Sequence, residues 1–357
     1  MPFGFNKRGI KIINVGLIGC GRISKKHFEA ISKLDGIRCL ACCDIIAERA
    51  RSAAQTYDIP YWTTDYEEML RHKDIDIIAV CTPSGLHPWH GIQAARYGKH
   101  LLVEKPIAVR VKQAEHLIRY CNRRVNLHVS LQNRLNRSIQ LLRTAYNEGR
   151  FGKIYMILAN VLWNRPQSYY DMDSWRGTWA LDGGAFMNQA CHYVDMVQWF
   201  GGPVESVTSL TATMARTIET EDTGGALIRF NNGIIGSINV TMLVYPNNME
   251  GSITILGENG TVKVGGIAMN KIEHWEFGDR RDYDHEVSLC NSEVASIYGE
   301  GHQAYYAQLV KSMSNSIDNQ IQENQGLVDG IEGRKSLLLI EAIYRSSLKK
   351  RRVNIRG

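Results

Sequence analysis

No apolar run in the sequence approaches the ~18 residues that a membrane helix needs, so no spanning helix is expected. The first residues, Met1–Gly9, carry Lys7 and Arg8 but lead into no secretory apolar region with a small-residue cleavage site. Ile12–Ile18 is too short and too strand-like to serve as one. A cytoplasmic location is therefore expected. Internal repeats and low-complexity segments are also missing, which excludes solenoids and linker-type disorder. Neither sign of charge dominates: the formal net charge is +6, spread along the chain. Such a balance suits an anionic small ligand at least as well as nucleic acid. The one dense basic run, Lys349-Lys350-Arg351-Arg352, reads as a solvated helix end that complements the helix dipole. A disulfide framework is not evident either. The eight cysteines fit reduced thiols. In Cys39-x-x-Cys42-Cys43 the flanking pattern is a strand, where residues three apart lie ~10 Å apart on opposite faces. Cys39 and Cys42 are thus read as buried thiols and not as ligands of one ion.

At 357 residues the chain exceeds the usual size of one domain. Its organising stretch is Leu101-Leu102-Val103-Glu104-Lys105-Pro106. Three apolar residues close a parallel strand, and a carboxylate, an amine and a proline follow at its carboxyl end, where open α/β sheets hold their ligands. An ordinary ion pair at a strand end is the plainer alternative. Earlier in the chain, Lys11–Ile18 runs into Gly19-Cys20-Gly21-Arg22-Ile23-Ser24 and then into a helical pattern through Leu34. Strand, glycine turn and helix form the context of a dinucleotide fingerprint. Gly19 permits the tight turn, Gly21 lets the backbone approach a pyrophosphate, and Ser24 is the small residue at the third position. A second β-like run, Ile37–Cys43, ends in Asp44. A carboxylate there accepts the adenosine ribose hydroxyls and repels a 2′-phosphate, which favours NAD over NADP. The same Asp44 also qualifies as the N-cap of a helix over Ile45–Gln55.

A short helix at Asp65–Leu70 and a strand at Ile75–Val80 lead to Cys81-Thr82-Pro83-Ser84-Gly85-Leu86-His87. Thr82, Pro83, Ser84 and Leu86 suit a loop beneath the cofactor. His87 fits either a helix start or a cofactor neighbour. A helix at His90–Tyr97, the strand His100–Val103, a helix through Tyr120 and a strand at Asn126–Ser130 complete an alternating β and α unit, a Rossmann-type domain over residues 10–130. Beyond it the pattern changes to antiparallel-like strands at Ile154–Leu162, Val204–Met214, Gly225–Phe230, Ile234–Leu243, Ser252–Leu256 and Thr261–Val264. Turn signals such as Asn231-Asn232-Gly233 separate them. Helices are expected at Ile139–Asn147, His302–Ser316 and Leu327–Leu348. The fold class is therefore α/β: a Rossmann domain followed, over 131–357, by an α+β domain on a large, open, mostly antiparallel sheet. A sheet with an uncovered face calls for oligomerisation.

Gly183–Asp195 opens a helix expected to continue to Trp199. Asn188, His192 and Asp195 are spaced i, i+4, i+7 and share one stripe of it. A polar stripe among Phe186, Met187, Val194, Met196 and Val197 is poorly explained by packing. His192 titrates near neutral pH and suits general acid/base work. One imidazole and one carboxylate without a third strong ligand do not make a metal site, and no metal is expected.

Gly19-x-Gly21, Glu104-Lys105-Pro106 and Gly183–Asp195 resemble, in order and spacing, the glucose–fructose oxidoreductase/inositol dehydrogenase family. The resemblance spans nearly the whole chain. It implies bound nicotinamide along Gly19, Cys20, Gly21, Arg22, Ile23, Asp44, the 82–87 loop and Glu104, with Lys105 and His192 as catalytic residues acting on a carbohydrate. Many members carry an aspartate four residues before the histidine; Asn188 stands there in this chain. A narrower group is similar through Trp163-x-Arg165-Pro166-Gln167-x-Tyr169-Tyr170, Trp175-Arg176-Gly177-Thr178-Trp179, Met187-Asn188-Gln189-x-x-His192 and Glu221-Asp222-Thr223-Gly224: the UDP-N-acetyl-2-amino-2-deoxy-D-glucuronate 3-dehydrogenases. That likeness implies oxidation of a sugar C3 hydroxyl on the way to diamino-uronic acids of bacterial surface polysaccharide (O-antigen). It also implies a homotetramer and, in some members, re-oxidation of NADH by 2-oxoglutarate. Asn188 and Gln189 would meet sugar hydroxyl or N-acetyl groups, while Arg165, Tyr169 and Arg176 would meet diphosphate, carboxylate and uracil. A dehydrogenase of a free sugar or inositol would not need an arginine-rich loop. A regulator that senses NAD without chemistry would need neither Lys105 nor His192.

Overall fold

The structure, a computed structural model, describes residues 12–292, 301–315 and 327–355. The features expected at Met1–Gly9, Lys11 and Ser316 lie outside these residues. Strands are β1 (Ile13–Ile18), β2 (Ile37–Cys43), β3 (Tyr61–Thr63), β4 (Ile77–Val80), β5 (His100–Glu104), β6 (Leu127–Ser130), β7 (Ile154–Leu162), β8 (Val204–Ala212), β9 (Thr223–Phe230), β10 (Ile235–Thr241), β11 (Glu250–Gly257), β12 (Gly260–Gly265), β13 (Lys271–Phe277) and β14 (Val353–Asn354). Helices are α1 (Ser24–Ser32), α2 (Ala47–Thr56), α3 (Tyr66–Leu70), α4 (His87–Arg96), α5 (Val111–Cys121), α6 (Arg137–Asn147), α7 (Gln167–Asp171), α8 (Cys191–Gly201), α9 (Glu286–Ser292), α10 (Gly301–Asn315) and α11 (Gly330–Lys349).

The chain forms two compact units. The first takes the chain up to Ala108, then Lys112–Gln132 and His302–Glu332; the second takes Val109–Val111, Asn133–Gly301 and Gly333–Gly357. Among the described residues the first unit carries a six-stranded sheet of order β3-β2-β1-β4-β5-β6. Every pairing in it is parallel. Parallel strands with helices on both faces must be apolar throughout, and β1 and β4 are buried at every position. Because the strands all run one way, their carboxyl ends share one edge. The order reverses between β1 and β4, the switch point at which such sheets bind dinucleotides.

The second unit carries an eight-stranded sheet of order β13-β12-β11-β7-β10-β9-β8-β14 among the described residues. Only the β7–β10 pairing is parallel there; the others are antiparallel. Alternation along β9 and β10 buries one face and leaves the other open. Leu210 on β8, Leu227 on β9 and Ile235 on β10 are exposed, at 76%, 62% and 47%. On the inner face α8 packs over β7, β10 and β11. Three short or polar strands, β3, β13 and β14, were not expected from periodicity. β8 stops at Ala212, short of the expected Met214, because Asp222 accepts the backbone N–H groups of Met214, Ala215 and Arg216, each at 2.9 Å, and draws that segment out of the ladder. No helix among the described residues is long and apolar enough to cross a membrane.

Close approach fixes α8 on its sheet. Gly251 in β11 has no room for a side chain: a Cβ would overlap the Tyr193 hydroxyl and the Ile267 carbonyl. Backbone cannot yield as a flexible side chain can. Gly251→Ala is therefore expected to lower unfolding free energy by about 1–3 kcal/mol, measured by chemical denaturation.

Candidate active site

At the carboxyl edge of the first sheet, Gly19 sits at φ +98, and a Cβ on it would press on the Cys81 carbonyl at 2.7 Å and the Thr82 nitrogen at 2.9 Å. Only glycine can make this turn against the neighbouring strand end. Gly21, by contrast, faces open space within 4 Å of where a Cβ would stand. Beyond it α1 begins at Ser24 with no acidic residue in its first turn. A glycine turn with room above it and an unneutralised helix N-terminus is a fit for a pyrophosphate. Arg22 is exposed and Ile23 half-buried beside this turn.

Asp44 closes β2 and is buried at 8% exposure. Its carboxylate accepts the Cys20 N–H at 2.8 Å and the Ile46 N–H at 2.9 Å. It does not cap a helix over Ile45–Gln55, as expected from the sequence; α2 starts at Ala47 with Ile46 at its N-cap position. The Cys20 bond brings Asp44 to the glycine turn instead. A carboxylate oxygen has a second lone pair for a ribose hydroxyl and only repulsion for a phosphate.

Glu104 and Lys105 end β5. The Glu104 carboxylate is buried and takes a hydrogen bond from His27 Nε2 at 2.9 Å, from His302 Nε2 at 3.3 Å and from the Lys105 N–H at 3.1 Å. Tyr306 lies 2.7 Å from His27 Nδ1. Burial alone would favour the neutral acid, but the two histidines outweigh it and hold Glu104 well below the usual carboxylate range. His27, Glu104 and His302 offer donor atoms within 4.8 Å of one another. As they stand, the imidazole nitrogens are hydrogen-bonded to one carboxylate oxygen, which accounts for the cluster without an ion. His27 and His302 were missed by sequence reasoning, because nothing local marks a partner 77 or 198 residues away. His87 is buried and reaches the Thr82 and Pro106 carbonyls. It thereby joins the 82–86 loop to the Lys105–Pro106 turn. Leu86 is exposed on that loop.

In the second unit four of the expected substrate residues gather. Arg165 Nε donates to Gln189 Oε1 at 3.1 Å, and Gln189 Nε2 donates to the Tyr169 hydroxyl at 2.9 Å. The Arg165 guanidinium lies 5.4 Å from the Tyr169 ring centre and the Arg176 guanidinium 4.5 Å from it. Arg176 is steadied by Asp173 at 3.1 Å. Two cations and an amide thus surround one phenol, a surface suited to anionic oxygens and a flat ring.

The single helix expected over Gly183–Trp199 is divided. Gly183 and Gly184 are left-handed, at φ +85 and +101; a π-type turn follows at Ala185–Gln189, and α8 begins only at Cys191. Asn188 and His192 therefore do not share one regular stripe. Asp195 is diverted altogether. Both its oxygens are bound by buried Arg134, at 2.8 and 2.7 Å, so its role is structural and the idea of a ligand stripe fails there. Asn188 Nδ2 donates to Asp182, which was not foreseen. His192 is buried near the start of α8.

Glu221 lies under the same turn. Its Oε1 accepts the Phe186 N–H at 2.9 Å and the Tyr344 hydroxyl at 2.8 Å. Burial, reinforced by Asp182 and opposed by these two donors, pushes its carboxyl up to about 7. Since the folded value exceeds the unfolded one, the stabilisation is complete below the ordinary carboxyl range and is lost as pH rises through about 7. The difference is on the order of 3 kcal/mol. In urea unfolding at pH values on either side of this window, wild type is expected to lose stability on the alkaline side, while Glu221→Gln remains flat.

Two family profiles cover most of the chain. One is described as the oxidoreductase family, NAD-binding Rossmann fold, and matches residues 13–131. The other is that family's C-terminal alpha/beta domain and matches residues 143–355. Among solved structures, the WlbA dehydrogenase of Bordetella pertussis, in complex with NADH and UDP-GlcNAcA, is 45% identical with a TM-score of 0.90, covering 97% of this chain and 98% of that one. The WlbA dehydrogenase of Chromobacterium violaceum, with the same two ligands, is 44% identical with a TM-score of 0.88, covering 97% and 96%. The myo-inositol 2-dehydrogenase of Thermotoga maritima is 24% identical over 353 residues, 96% of this chain and 98% of its own length. The chain belongs to the glucose–fructose oxidoreductase/inositol dehydrogenase family, oxidoreductases that join an NAD-binding Rossmann fold to a C-terminal alpha/beta domain.

Proposed function

We propose that this protein oxidises the C3 hydroxyl of UDP-N-acetyl-2-amino-2-deoxy-D-glucuronate (UDP-GlcNAcA) to the 3-keto sugar nucleotide, with NAD as acceptor. The observation that carries the reading is 45% identity, over nearly the full length of both chains, to a dehydrogenase solved with NADH and UDP-GlcNAcA. The inositol enzyme matches over a similar length at only 24%, so a nucleotide sugar is favoured over a free polyol. The cluster of Arg165, Tyr169, Gln189 and Arg176 supports this, because a diphosphate and a uronate call for paired guanidinium groups and a stacking ring.

When bound, NAD accepts the hydride from C3. Gly19, Cys20, Gly21, Arg22 and Ile23 hold the pyrophosphate, Asp44 the adenosine ribose, and Thr82, Pro83, Ser84, Leu86 and Glu104 line the remaining dinucleotide path. The hydroxyl proton passes to Lys105 or to His192, and the other nitrogen holds the resulting alkoxide; with the C3 hydrogen gone as hydride, a carbonyl is left. Asn188, its amide nitrogen fixed by Asp182, presents an acceptor to a sugar hydroxyl, and Gln189 meets the N-acetyl group. The product would feed diamino-uronic acid units of a bacterial surface polysaccharide, made in the cytoplasm. The apolar open face of the second sheet supports assembly into a homotetramer.

Lys105→Ala is expected to keep NADH binding while turnover falls by at least ~10²-fold, followed by NADH absorbance with UDP-GlcNAcA; near-wild-type turnover would remove Lys105 from the chemistry. Offered side by side, UDP-GlcNAcA should outpace UDP-N-acetylglucosamine, glucose and inositol. A faster rate with inositol would replace the nucleotide-sugar reading. Adding 2-oxoglutarate to enzyme carrying NADH should discharge the absorbance if that keto acid recycles the cofactor.

A further inference from the structure

His87 opens α4 with both ring nitrogens occupied. Nδ1 lies 2.7 Å from the Pro106 carbonyl oxygen, and Nε2 lies 2.8 Å from the Thr82 carbonyl oxygen. A backbone carbonyl only accepts, so each contact requires an N–H on the ring. A neutral imidazole has one. Whichever tautomer it adopts, its bare nitrogen would face a carbonyl lone pair to lone pair at hydrogen-bond distance, inside a site where His87 is 1% exposed and water cannot intervene. Flipping the ring exchanges nitrogens for carbons and breaks both contacts. The geometry is satisfied by the imidazolium alone.

We propose that His87 is a buried imidazolium clasp that ties the loop after β4 to the Lys105–Pro106 turn after β5 and so positions the 82–86 loop for the dinucleotide. This rests on the reading of that loop as part of the cofactor path. The charges around the ring are divided. The Glu104 carboxylate, kept ionised by His27 and His302, favours the cation, as do the two carbonyls; burial of the ring and the Lys105 ammonium oppose it. The N-terminus of α4 also opposes it. His90, 3.2 Å from the Thr82 hydroxyl, is pushed down to about 4 mainly by burial and so adds no charge at neutral pH. Burial is the largest of these influences and draws the ring below its ordinary value. A neutral ring, however, could not keep both carbonyls where they are: one contact would open, and the loop with it. Deprotonation and loop release are thus one event, and NADH affinity should fall as pH rises through the titration of His87.

The first test needs only the wild-type protein. With ring-labelled histidine, at a pH well below the ordinary imidazole range, nitrogen NMR should show both His87 nitrogens protonated, with two exchange-protected N–H signals; one protonated and one bare nitrogen there would overturn the proposal. The second is NADH titration by fluorescence. His87→Gln offers donors from a single nitrogen and cannot span both carbonyls, so in the same acid range its affinity should be roughly tenfold weaker than wild type, the equivalent of one lost charge-assisted hydrogen bond, and the difference should shrink as pH rises. Unchanged affinity alongside a doubly protonated wild-type ring would also overturn it. Turnover of wild type with UDP-GlcNAcA, which tests the dehydrogenase reading, is independent of either result.

Discussion

A strand covered on both faces can place chemistry only at its end. In the first unit this constraint decides everything that matters. β1, β4 and β5 are mostly apolar along their lengths, and Asp44, Thr82, Glu104 and Lys105 follow or close strands at one edge because every pairing in the sheet is parallel. Glu104 is buried among them, at 3% exposure. An ionised carboxylate in such a place is tolerable only with full hydrogen bonding, and His27, His302 and the Lys105 amide provide it. The backbone N–H of the proposed base is thus bound to the carboxylate of its own neighbour, which is in turn held by two helices. Lys105 starts from a rigid base.

The second unit solves the opposite problem. Its sheet has one covered and one open face, so helix α8 lies on a surface shared with β7, β10 and β11. Polar groups still enter this core with partners: Arg134 pairs with Asp195, and Glu221, its carboxyl pushed up by burial, takes the Tyr344 hydroxyl and the Phe186 amide beneath the glycine turn. Removing either member of such a pair would leave an uncompensated polar group. This explains why acidic residues in the segment divide between a structural role, Asp195, and an orienting role, Asp182. The amide at position 188 has a carboxylate behind it, that of Asp182, six residues earlier in the chain.

The two arginines around Tyr169 gather positive charge and aromatic surface in one place. Each guanidinium stacks on aromatic rings and keeps donors on its rim, Arg165 against Trp163 and Tyr169, Arg176 against Tyr169 and Trp175. Stacked guanidinium groups are held in plane at little entropic cost. Their donors suit anionic oxygens, and it is on this chemistry that the proposed role of Arg165 and Arg176 rests.

Much of this was legible in the chain. The apolar runs and the Gly19 turn gave the parallel unit, alternation gave the open sheet, and Glu104-Lys105-Pro106 marked the working edge, because burial and backbone geometry act over a few residues and leave periodic traces. The cluster of Arg165, Tyr169, Arg176 and Gln189 was also visible as residue types. What the residues alone left open was partnership. The divided turn at Ala185–Gln189 depends on two left-handed glycines seated against Glu221 and Met187. Asp44 turned from a helix cap to the glycine turn, Asp195 to Arg134, and His87 to two carbonyls. In each case the deciding atom lies dozens of residues away or belongs to the backbone of another strand end. Local sequence sets which groups can donate and accept; only the folded chain decides which of them must do so for each other, since a buried polar atom takes whatever partner the packing delivers.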